Sequence, residues 1–377
     1  MHLTAASTLL FLSTALQASA SILPAWYFDK ATSTTTLAAA PTCNGHAELC
    51  GKSYADVVYI GAHNSYAVGD GVSDNQAVNI TTTLEGGIRL IQGQAHENYG
   101  VFRSSESNPS ELSLCHTSCL LQDGGSLEDY LRSVRAWLDE NPREVLTILM
   151  TNPDRVDIRR WEAGFNSTGF NANNTWWPDN KRADGSYGPS PSRDQWPTLG
   201  EMIDQDKRVV IFLDYASDRD QVSWILAEFD SIYENPFDQL ELPFNCSVDR
   251  GRSDGTLALL NNNKNTQPLG STVAISTPDR NATSTTNSAD GENGIVSTVQ
   301  RCASETKTRA TFVLVDYWDT PAKNGVAEAA ARLNNVSRPG SANDVIPSSA
   351  SRSILQHPSA FLVPHVAAVF ALGLALL

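Results

Sequence analysis

Short apolar runs alternate with helix-like patterns between residues 43 and 337, and this alternation constrains the fold more than any other feature. A parallel strand that is buried on both faces is apolar along most of its length, and parallel strands need long crossover connections, usually helices. The alternation therefore predicts an α/β fold with a parallel sheet. The predicted strands are 57–60, 88–94, 112–116, 145–150, 208–215, 257–260 and 311–317.

The clearest predicted helix, 126–141, separates two of these strands. Ser126 suits the N-cap, Glu128 and Asp129 suit the first turn, and Pro142 ends the pattern. Further helices are predicted at 155–163, 199–206 and 326–334, a loop-rich insertion at 165–197 and a polar surface loop at 272–294. Residues 43–337 are therefore predicted to form one domain.

Two histidines stand at the ends of predicted strands. His63 follows the run VVYIGA, with Gly61 allowing a sharp exit from the strand, and His116 follows LSLC. Most histidines are surface or satisfied core residues, but a parallel strand ending in a histidine can deliver it to the rim of an α/β barrel. These two are therefore the candidate catalytic residues.

Polar side chains at the ends of other strands complete the candidate site. Gln92 and Gln94 share one face of strand 88–94 by two-residue alternation, whereas Arg89 faces the other side. Asp214 and Asp316 end two later strands. Asp154 and Arg155, just past strand 145–150, are interpreted as helix-start residues rather than as polar contacts of the site.

The insertion 165–197 carries four aromatic residues: Trp176, Trp177, Tyr187 and Trp196. They could form a lid over a substrate or a lipid. The favoured interpretation is a satellite cluster that packs the insertion onto the barrel.

Several segments together resemble the phosphatidylinositol-specific phospholipase C X-domain-like family, and most closely its fungal secreted phosphodiesterases. They are GAHNSY, GIRLIQGQ, LCHTSC, the helix SLEDYLRSVRAWLDENP followed by VLTILM, and FVLVDYWD. The resemblance covers most of residues 43–336. It implies a TIM-type (β/α)8 barrel, which in this family is often irregular or incompletely closed.

The resemblance also implies roles for individual residues. His63 resembles the general base that acts on the inositol 2-hydroxyl, and His116 the general acid that protonates the glycerol-side oxygen. Asp316 resembles the carboxylate that orients His63, with a simple strand-end cap as the alternative. Asn64 matches a calcium-binding residue of eukaryotic relatives. The substrate contacts predicted in this chain are Asn64, Gln92, Gln94 and Asp214.

The sequence departs from the family where charge is expected. Gln92 and Gln94 stand where calcium-dependent relatives have two carboxylates and metal-independent bacterial relatives have an aspartate and an arginine, and Thr151 replaces a further carboxylate. A calcium ion needs several anionic oxygens, so no calcium site of that design, and no other cofactor, is expected. Losing a full cation from such a site could cost ~3 kcal/mol of transition-state stabilisation or more.

Three functions fit these residues. The favoured one is a phosphoric diester hydrolase of the phospholipase C type that acts on phosphoinositide-like lipid head groups without a metal. The second is a catalytically silent inositol- or glycan-binding barrel. The third, a glycerophosphodiesterase or phospholipase D-like barrel, ranks last because it requires an acidic metal pair that the Gln92 and Gln94 strand lacks.

Both ends of the chain indicate export. Residues 1–20 resemble a signal peptide with cleavage after Ala20, and 21–42 form a flexible Ser/Thr/Ala-rich segment. Residues 338–359 form a linker with Ser348 or Ser349 as the GPI-attachment site, and 360–377 form an apolar tail. A C-terminal transmembrane helix is the alternative for that tail. The expected location is outside the cell, on the plasma membrane or cell wall.

The charge and the cysteines agree with export. A formal net charge of −15 disfavours nucleic acid and anionic membrane surfaces as partners, and a monomer is expected. The six cysteines suit an oxidising compartment, and their spacing suggests the pairs Cys43–Cys50, Cys115–Cys119 and Cys246–Cys302. A zinc cluster at Cys115, His116 and Cys119 is a poor alternative because no second pair has finger-like spacing. Six glycosylation sequons begin at Asn79, Asn166, Asn173, Asn245, Asn281 and Asn335.

Overall fold

The computed structural model describes residues 41–97, 109–116, 119, 122–252, 254, 256–267 and 276–337. The predicted signal peptide 1–20, nearly all of segment 21–42, the linker 338–359 with its attachment site and the apolar tail 360–377 lie outside the described residues. Among the described residues, no helix combines the length and the apolar character that a membrane crossing requires.

Strands in the described residues belong to one large sheet and one small one. Their bounds are β1 Tyr59–Ala62, β2 Leu90–Glu97, β3 Leu112–Cys115, β4 Asp123–Ser126, β5 Leu146–Thr151, β6 Val209–Leu213, β7 Ile225–Ala227, β8 Ile232–Glu234, β9 Leu257–Asn261, β10 Asn265–Thr266, β11 Thr277–Pro278 and β12 Phe312–Val315. Strands β10 and β11 form the small antiparallel sheet.

Eight of the strands are parallel and follow the order β7, β6, β5, β2, β1, β12, β9, β8. The first and last strands of the chain order, β1 and β12, pair at the centre, with Ile60 opposite Val313. Strands β7 and β8 lie at the two ends, and within the described residues they do not pair with each other. The predicted α/β fold of irregular TIM-barrel type is confirmed.

The helices follow the strands as a parallel sheet requires. Ser126 caps the longest helix through a hydrogen bond from Asp129 N–H, as the sequence predicts. The predicted helix 155–163 instead begins at Ile158 with Asp157 as its cap, so interpreting Asp154 and Arg155 as helix-start residues was wrong. The helices are α1 Ile80–Glu85, α2 Leu127–Glu140, α3 Ile158–Ser167, α4 Leu199–Asp204, α5 Glu228–Ser231, α6 Thr283–Thr286, α7 Ile295–Thr306 and α8 Val326–Asn334.

Two-residue alternation divides the core into an outer layer, beneath the helices, and an inner layer inside the curled sheet. The inner layer contains one or more large side chains from each central strand: Tyr59, Leu90, Leu149, Phe212, Leu259, Phe312 and Leu314. Fully burying one such side chain contributes about 1.5–3 kcal/mol. The inner-face residues two positions after these side chains lie at the rim formed by the carboxyl ends of the strands. At this rim the inner-face side chains are polar rather than apolar.

Gly61 lies within β1 rather than at its exit, contrary to the prediction. A Cβ atom at this position would lie 2.5 Å from Cδ2 of Leu90, so the glycine allows the inner core to close around that leucine. The sharp exit comes at Asn64, whose φ of +40° lies in the left-handed region that asparagine tolerates better than most residues. The turn therefore depends on the residue after His63.

Strand β3 does not belong to the parallel sheet, although the sequence analysis predicts a buried parallel strand there. The last residues of β2 pair antiparallel with β3, with His96 opposite Ser113, and β3 pairs in turn with β4. Because β2 is eight residues long, its first part pairs within the barrel and its last part extends beyond the rim. His116 directly follows β3, so it reaches the site from the strand that pairs with this extension.

Candidate active site

The polar rim of the sheet encloses a cavity of about 380 Å³. On the inner face of three strands, the residue two positions after an apolar core side chain is polar and lines this cavity: Asp214 follows Phe212, Gln92 follows Leu90, and Thr151 follows Leu149. The cavity wall includes six of the seven predicted site residues: His63, Asn64, Gln92, Gln94, His116 and Asp214. Asp316 lies behind His63 and contacts it directly.

His63 is held by a buried carboxylate. Its Nδ1 atom lies 2.8 Å from Oδ1 of Asp316, whose side chain is 2% exposed, whereas the His63 side chain is 22% exposed. When Nδ1–H donates to Asp316, the lone pair of a neutral imidazole is on Nε2. His63 therefore has the tautomer that a general base needs, with Nε2 as the basic atom.

His116 lies across the cavity mouth from His63. The two ring centroids are 6.5 Å apart and the ring planes meet at 82°. Nδ1 of His116 donates to the carbonyl oxygen of Ser73 at 3.1 Å, which leaves Nε2 for exchange with a ligand. Burial, and secondarily repulsion from His63, lowers the pKa of His116.

Asn75 is a buried site residue that the sequence analysis misses. Its Nδ2 donates to Oδ1 of Asp316 at 2.8 Å, and its Oδ1 accepts from Nδ2 of Asn64 at 3.2 Å. Asn75 thus ties the carboxylate behind His63 to the residue beside it. It lies in an irregular loop twelve residues after His63, where no periodic pattern marks it, and only the amide-rich sequence Asn75-Gln76 is a signal.

The two glutamines of β2 have different partners. Oε1 of Gln92 accepts the backbone N–H of Asn64 at 2.7 Å, which fixes this side chain and leaves its Nε2 as a donor. Nε2 of Gln94 lies 2.9 Å from Nε2 of His96. Arg89 is directed away from the cavity and pairs with Glu144, as the strand alternation predicts.

Asp214 lies on the far wall of the cavity. Its Oδ1 accepts the backbone N–H groups of Asn152 and Tyr215, each at 2.7 Å. Burial nevertheless raises the pKa of its carboxyl group to about 6, because the two hydrogen bonds only partly offset the loss of solvation. The carboxyl group of Asp214 is therefore poised to change charge close to neutral pH.

Glu234 and Arg250 also line the far wall, and the sequence analysis misses both. Glu234 ends β8, a strand of three residues that is too short for a clear pattern. Both Nε and Nη2 of Arg250 bond Oε2 of Glu234, and the guanidinium lies over the ring of Phe237, 4.8 Å from its centroid. Behind them, burial raises the pKa of Glu228 well above its ordinary value.

The donor set at this rim does not suit a calcium ion. The oxygen of Gln92 is already bonded to Asn64 N–H, and the Asp316 carboxylate is bonded to His63 and Asn75. Elsewhere in the described chain, no group of three or more histidine, cysteine or acidic side chains is arranged to hold a metal. The geometry instead offers two imidazoles facing one cavity, an arrangement suited to proton transfer in both directions.

The aromatic insertion lies away from this site. The backbone N–H of Trp176 donates to the carbonyl of Val209, the first residue of β6. The Trp176 ring packs on Trp196, which stacks on Tyr54 beneath the inner core. These contacts are at the amino ends of the strands, whereas the cavity is at their carboxyl ends. For Trp176 and Trp196 the packing interpretation is therefore correct and the lid alternative is not.

The three predicted disulfides are all present: Cys43–Cys50, Cys115–Cys119 and Cys246–Cys302. The second lies beside the site because Cys115 directly precedes His116. The six sequon asparagines are all exposed: Asn79, Asn166, Asn173, Asn245, Asn281 and Asn335.

Comparison with known proteins gives a consistent family match. The PI-PLC X family model (PI-PLC X 1) matches residues 49–334. "PI-PLC X domain-containing protein 1" from Arthroderma benhamiae is 38% identical over 280 residues, which cover 73% of this chain and 84% of that protein. An "Uncharacterized secreted protein" from the same fungus is 33% identical over 321 residues, covering 83% and 68%.

Solved structures with similar folds include two bacterial proteins. A mutant phosphatidylinositol-specific phospholipase C from Staphylococcus aureus superposes with a TM-score of 0.47 at 13% identity, covering 76% of this chain and 95% of that one. The phosphatidylinositol-specific phospholipase C from Listeria monocytogenes gives a TM-score of 0.43 at 14% identity, covering 72% and 93%.

Proposed function

This chain belongs to the PI-PLC X domain family, and from that premise we propose that it is a phosphoric diester hydrolase that cleaves phosphatidylinositol-like lipids without a metal ion. The observation that carries the proposal is the placement of His63 and His116, with ring centroids 6.5 Å apart, on one cavity. Family membership supports the class of reaction. The mechanism and the head group are proposed from the family resemblance, together with the placement of the two histidines.

In the first step the head group supplies the nucleophile. Nε2 of His63 takes the proton of the hydroxyl next to the phosphate, and that oxygen attacks phosphorus. As the bond from phosphorus to the glycerol oxygen breaks, Nε2–H of His116 protonates the leaving oxygen. The products are a diacylglycerol and a five-membered cyclic phosphodiester, with His63 now protonated and His116 neutral.

In the second step the two histidines exchange roles. Neutral His116 takes a proton from water, whose oxygen attacks phosphorus, and protonated His63 returns its proton to the ring oxygen that leaves. The cyclic phosphodiester becomes a monoester, and both histidines regain their starting states. Asp316 stabilises the protonated form of His63 through the 2.8 Å hydrogen bond to its Nδ1.

Neutral donors take the place of a cation beside the phosphate. Nε2 of Gln92 and the side-chain amide of Asn64 line the cavity next to the histidines, and Arg250 is already paired with Glu234. Neutral donors stabilise developing charge less than a cation does, so we expect slow turnover. The same feature favours the second candidate, a binding barrel without catalysis.

The deciding experiment is release of cyclic inositol phosphate from phosphatidylinositol vesicles by the purified protein in the presence of a chelator. We expect turnover in wild type and its loss in His63→Ala and in His116→Ala. His46→Ala, which removes an imidazole outside the cavity wall, serves as the matched control and should retain activity. Binding of the head group without turnover of any phosphodiester would favour the silent barrel.

We further propose that the protein is secreted and GPI-anchored. One relative is a secreted fungal protein, which supports export, and segments 1–20 and 338–377 have the composition expected of a signal peptide and a GPI-attachment region. Peptide mass spectrometry of the mature protein should find Ser21 at the amino terminus and no peptide from 360–377. Detection of that tail in the mature protein would instead favour the transmembrane alternative.

A further inference from the structure

His96 lies two residues beyond Gln94 on β2, so both side chains emerge from the same face of the strand. Nε2 of His96 lies 2.9 Å from Nε2 of Gln94, and its Nδ1 lies 3.1 Å from each carboxylate oxygen of Asp154. Gln94 lines the cavity and His96 does not. A histidine–carboxylate pair thus stands directly behind a wall residue of the proposed active site.

The charge of His96 determines which end of the Gln94 amide can bond to it. A neutral imidazole has one donor nitrogen and one acceptor nitrogen. Because Nδ1–H donates to Asp154, Nε2 accepts from the amide NH2 of Gln94, as the structure shows. The amide oxygen is then the end that remains for a ligand in the cavity.

Protonation of His96 reverses this arrangement. An imidazolium donates from both nitrogens, so Nε2–H requires the oxygen of Gln94 as its acceptor. The amide must then turn by half a rotation, which directs NH2 toward the cavity. The cavity gains a donor, and a positive charge stands directly behind it, on the strand where this chain lacks the charged residues of its relatives.

The charged groups around His96 come from the neighbouring elements. Asp154 faces it from the loop after β5 and is itself held by the backbone N–H of Glu97 at 2.9 Å. The Glu97 carboxylate is paired with Arg160 of α3, which also lies 3.6 Å from Glu111. On the neighbouring β3, the residue opposite is the neutral Ser113. Within the described residues, Asp154 is therefore the carboxylate that acts directly on the ring.

We propose that His96, held by Asp154, is a positioning residue that sets which end of the Gln94 amide faces the cavity, and that an anionic phosphoryl group bound there draws His96 into its protonated form. The proposal rests on the proposed function in one respect, namely that the cavity takes a phosphoryl group. It assigns to His96 no contact with the substrate.

The test is a nuclear magnetic resonance titration with inorganic phosphate as the probe, which needs no turnover. The Gln94 side-chain NH2 resonance, assigned with Gln94→Glu, should move with the same pH midpoint as the ring nitrogens of His96. Saturating phosphate should raise that midpoint by about one pH unit, the linkage equivalent of about tenfold tighter binding to the protonated state. If the chemical shift of the Gln94 NH2 group does not change as His96 titrates, the proposal is overturned.

A second measurement separates His96 from the two cavity histidines, which also take up protons near an anion. The ratio of phosphate affinities at pH 5.5 and pH 7.5 should fall about tenfold in His96→Gln relative to wild type. The control Glu97→Gln alters the next residue but retains the backbone N–H that holds Asp154, and should keep the wild-type ratio. Equal ratios in both variants, or no phosphate binding in wild type, would contradict the proposal.

Failure of this inference is distinguishable from failure of the proposed function. Turnover that requires His63 and His116, combined with a pH ratio unchanged in His96→Gln, removes only the role of His96. If phosphate raises the pH midpoint of the His96 titration but the protein does not turn over phosphatidylinositol, only the catalytic proposal is removed.

Discussion

Nδ1 of His63 and Oδ1 of Asp316 lie 2.8 Å apart although 253 residues separate them in the chain. They meet because β1 and β12 are neighbouring parallel strands, and both residues follow the inner face of their strands. The contact fixes the imidazole tautomer and places Nε2 at the cavity.

Asp316→Asn should lower kcat by a factor of ~10²–10⁴. The asparagine amide can donate to Nδ1 of His63, and the ring proton then moves to Nε2, which can no longer act as a base. Steady-state kinetics with the chelator present measures the loss. The control is Asp56→Asn, which removes an exposed partner of Arg193 and should retain activity. A loss of less than about threefold in Asp316→Asn would contradict the role of the carboxylate.

The rate should fall as pH rises through the pKa of His116. The first step needs His116 protonated, and burial together with His63 lowers its pKa, so the alkaline limb of kcat/KM should lie below about 6.5. His46, whose pKa burial also lowers, is a matched control, and His46→Gln should leave the profile unchanged. An alkaline limb above pH 8 would contradict the assignment of His116 as the acid.

Asp214→Asn should stabilise the fold while impairing substrate binding. The pKa of Asp214 is raised from 3.8 to about 6, so the folded protein holds this proton more tightly than the unfolded chain does. The free energy of unfolding of wild type therefore falls as pH rises from about 4 to 6. Because an asparagine amide stays neutral, the variant should be more stable than wild type by up to about 3 kcal/mol at pH 7.5. Urea unfolding at pH 4 and pH 7.5 measures the difference.

The comparison for that measurement is Asp204→Asn, at a site whose side chain is 78% exposed. It should be neutral at both pH values. In assays of turnover, Asp214→Asn should raise KM more than it lowers kcat, because the carboxylate lies on the far wall from the histidines. A variant that is less stable than wild type at pH 7.5 would contradict the burial argument.

Removing the Cys246–Cys302 disulfide should destabilise the protein more than removing Cys43–Cys50. The first closes a separation of 56 residues and the second a separation of 7, so the chain-entropy model gives about 4 and about 2 kcal/mol. Paired Cys→Ala variants, compared by urea unfolding, test the order. Equal losses would show that native-state contacts rather than loop length decide the effect.

Much of the fold could be predicted from local patterns. Apolar runs such as 145–150 and 208–215 identify central parallel strands because burial on both faces leaves few polar positions. Ser126 and Pro142 bound the longest helix because capping chemistry is local. Strands β7 and β8 were missed because three residues do not form a recognisable period, and the far wall that Glu234 and Arg250 form was missed with them.

What the sequence determined by itself was a parallel α/β domain, and the resemblance pointed to two histidine motifs and a strand with glutamines in place of charges. The tertiary structure decided which of these residues share a cavity. His116 reaches it from β3, which pairs antiparallel with the end of β2, Asn75 from an irregular loop, and Asp316 from β12, which pairs with β1. Hydrophobic periodicity predicts which face of a strand is buried. It does not predict which distant strand pairs with it, because that depends on the packing of the whole sheet.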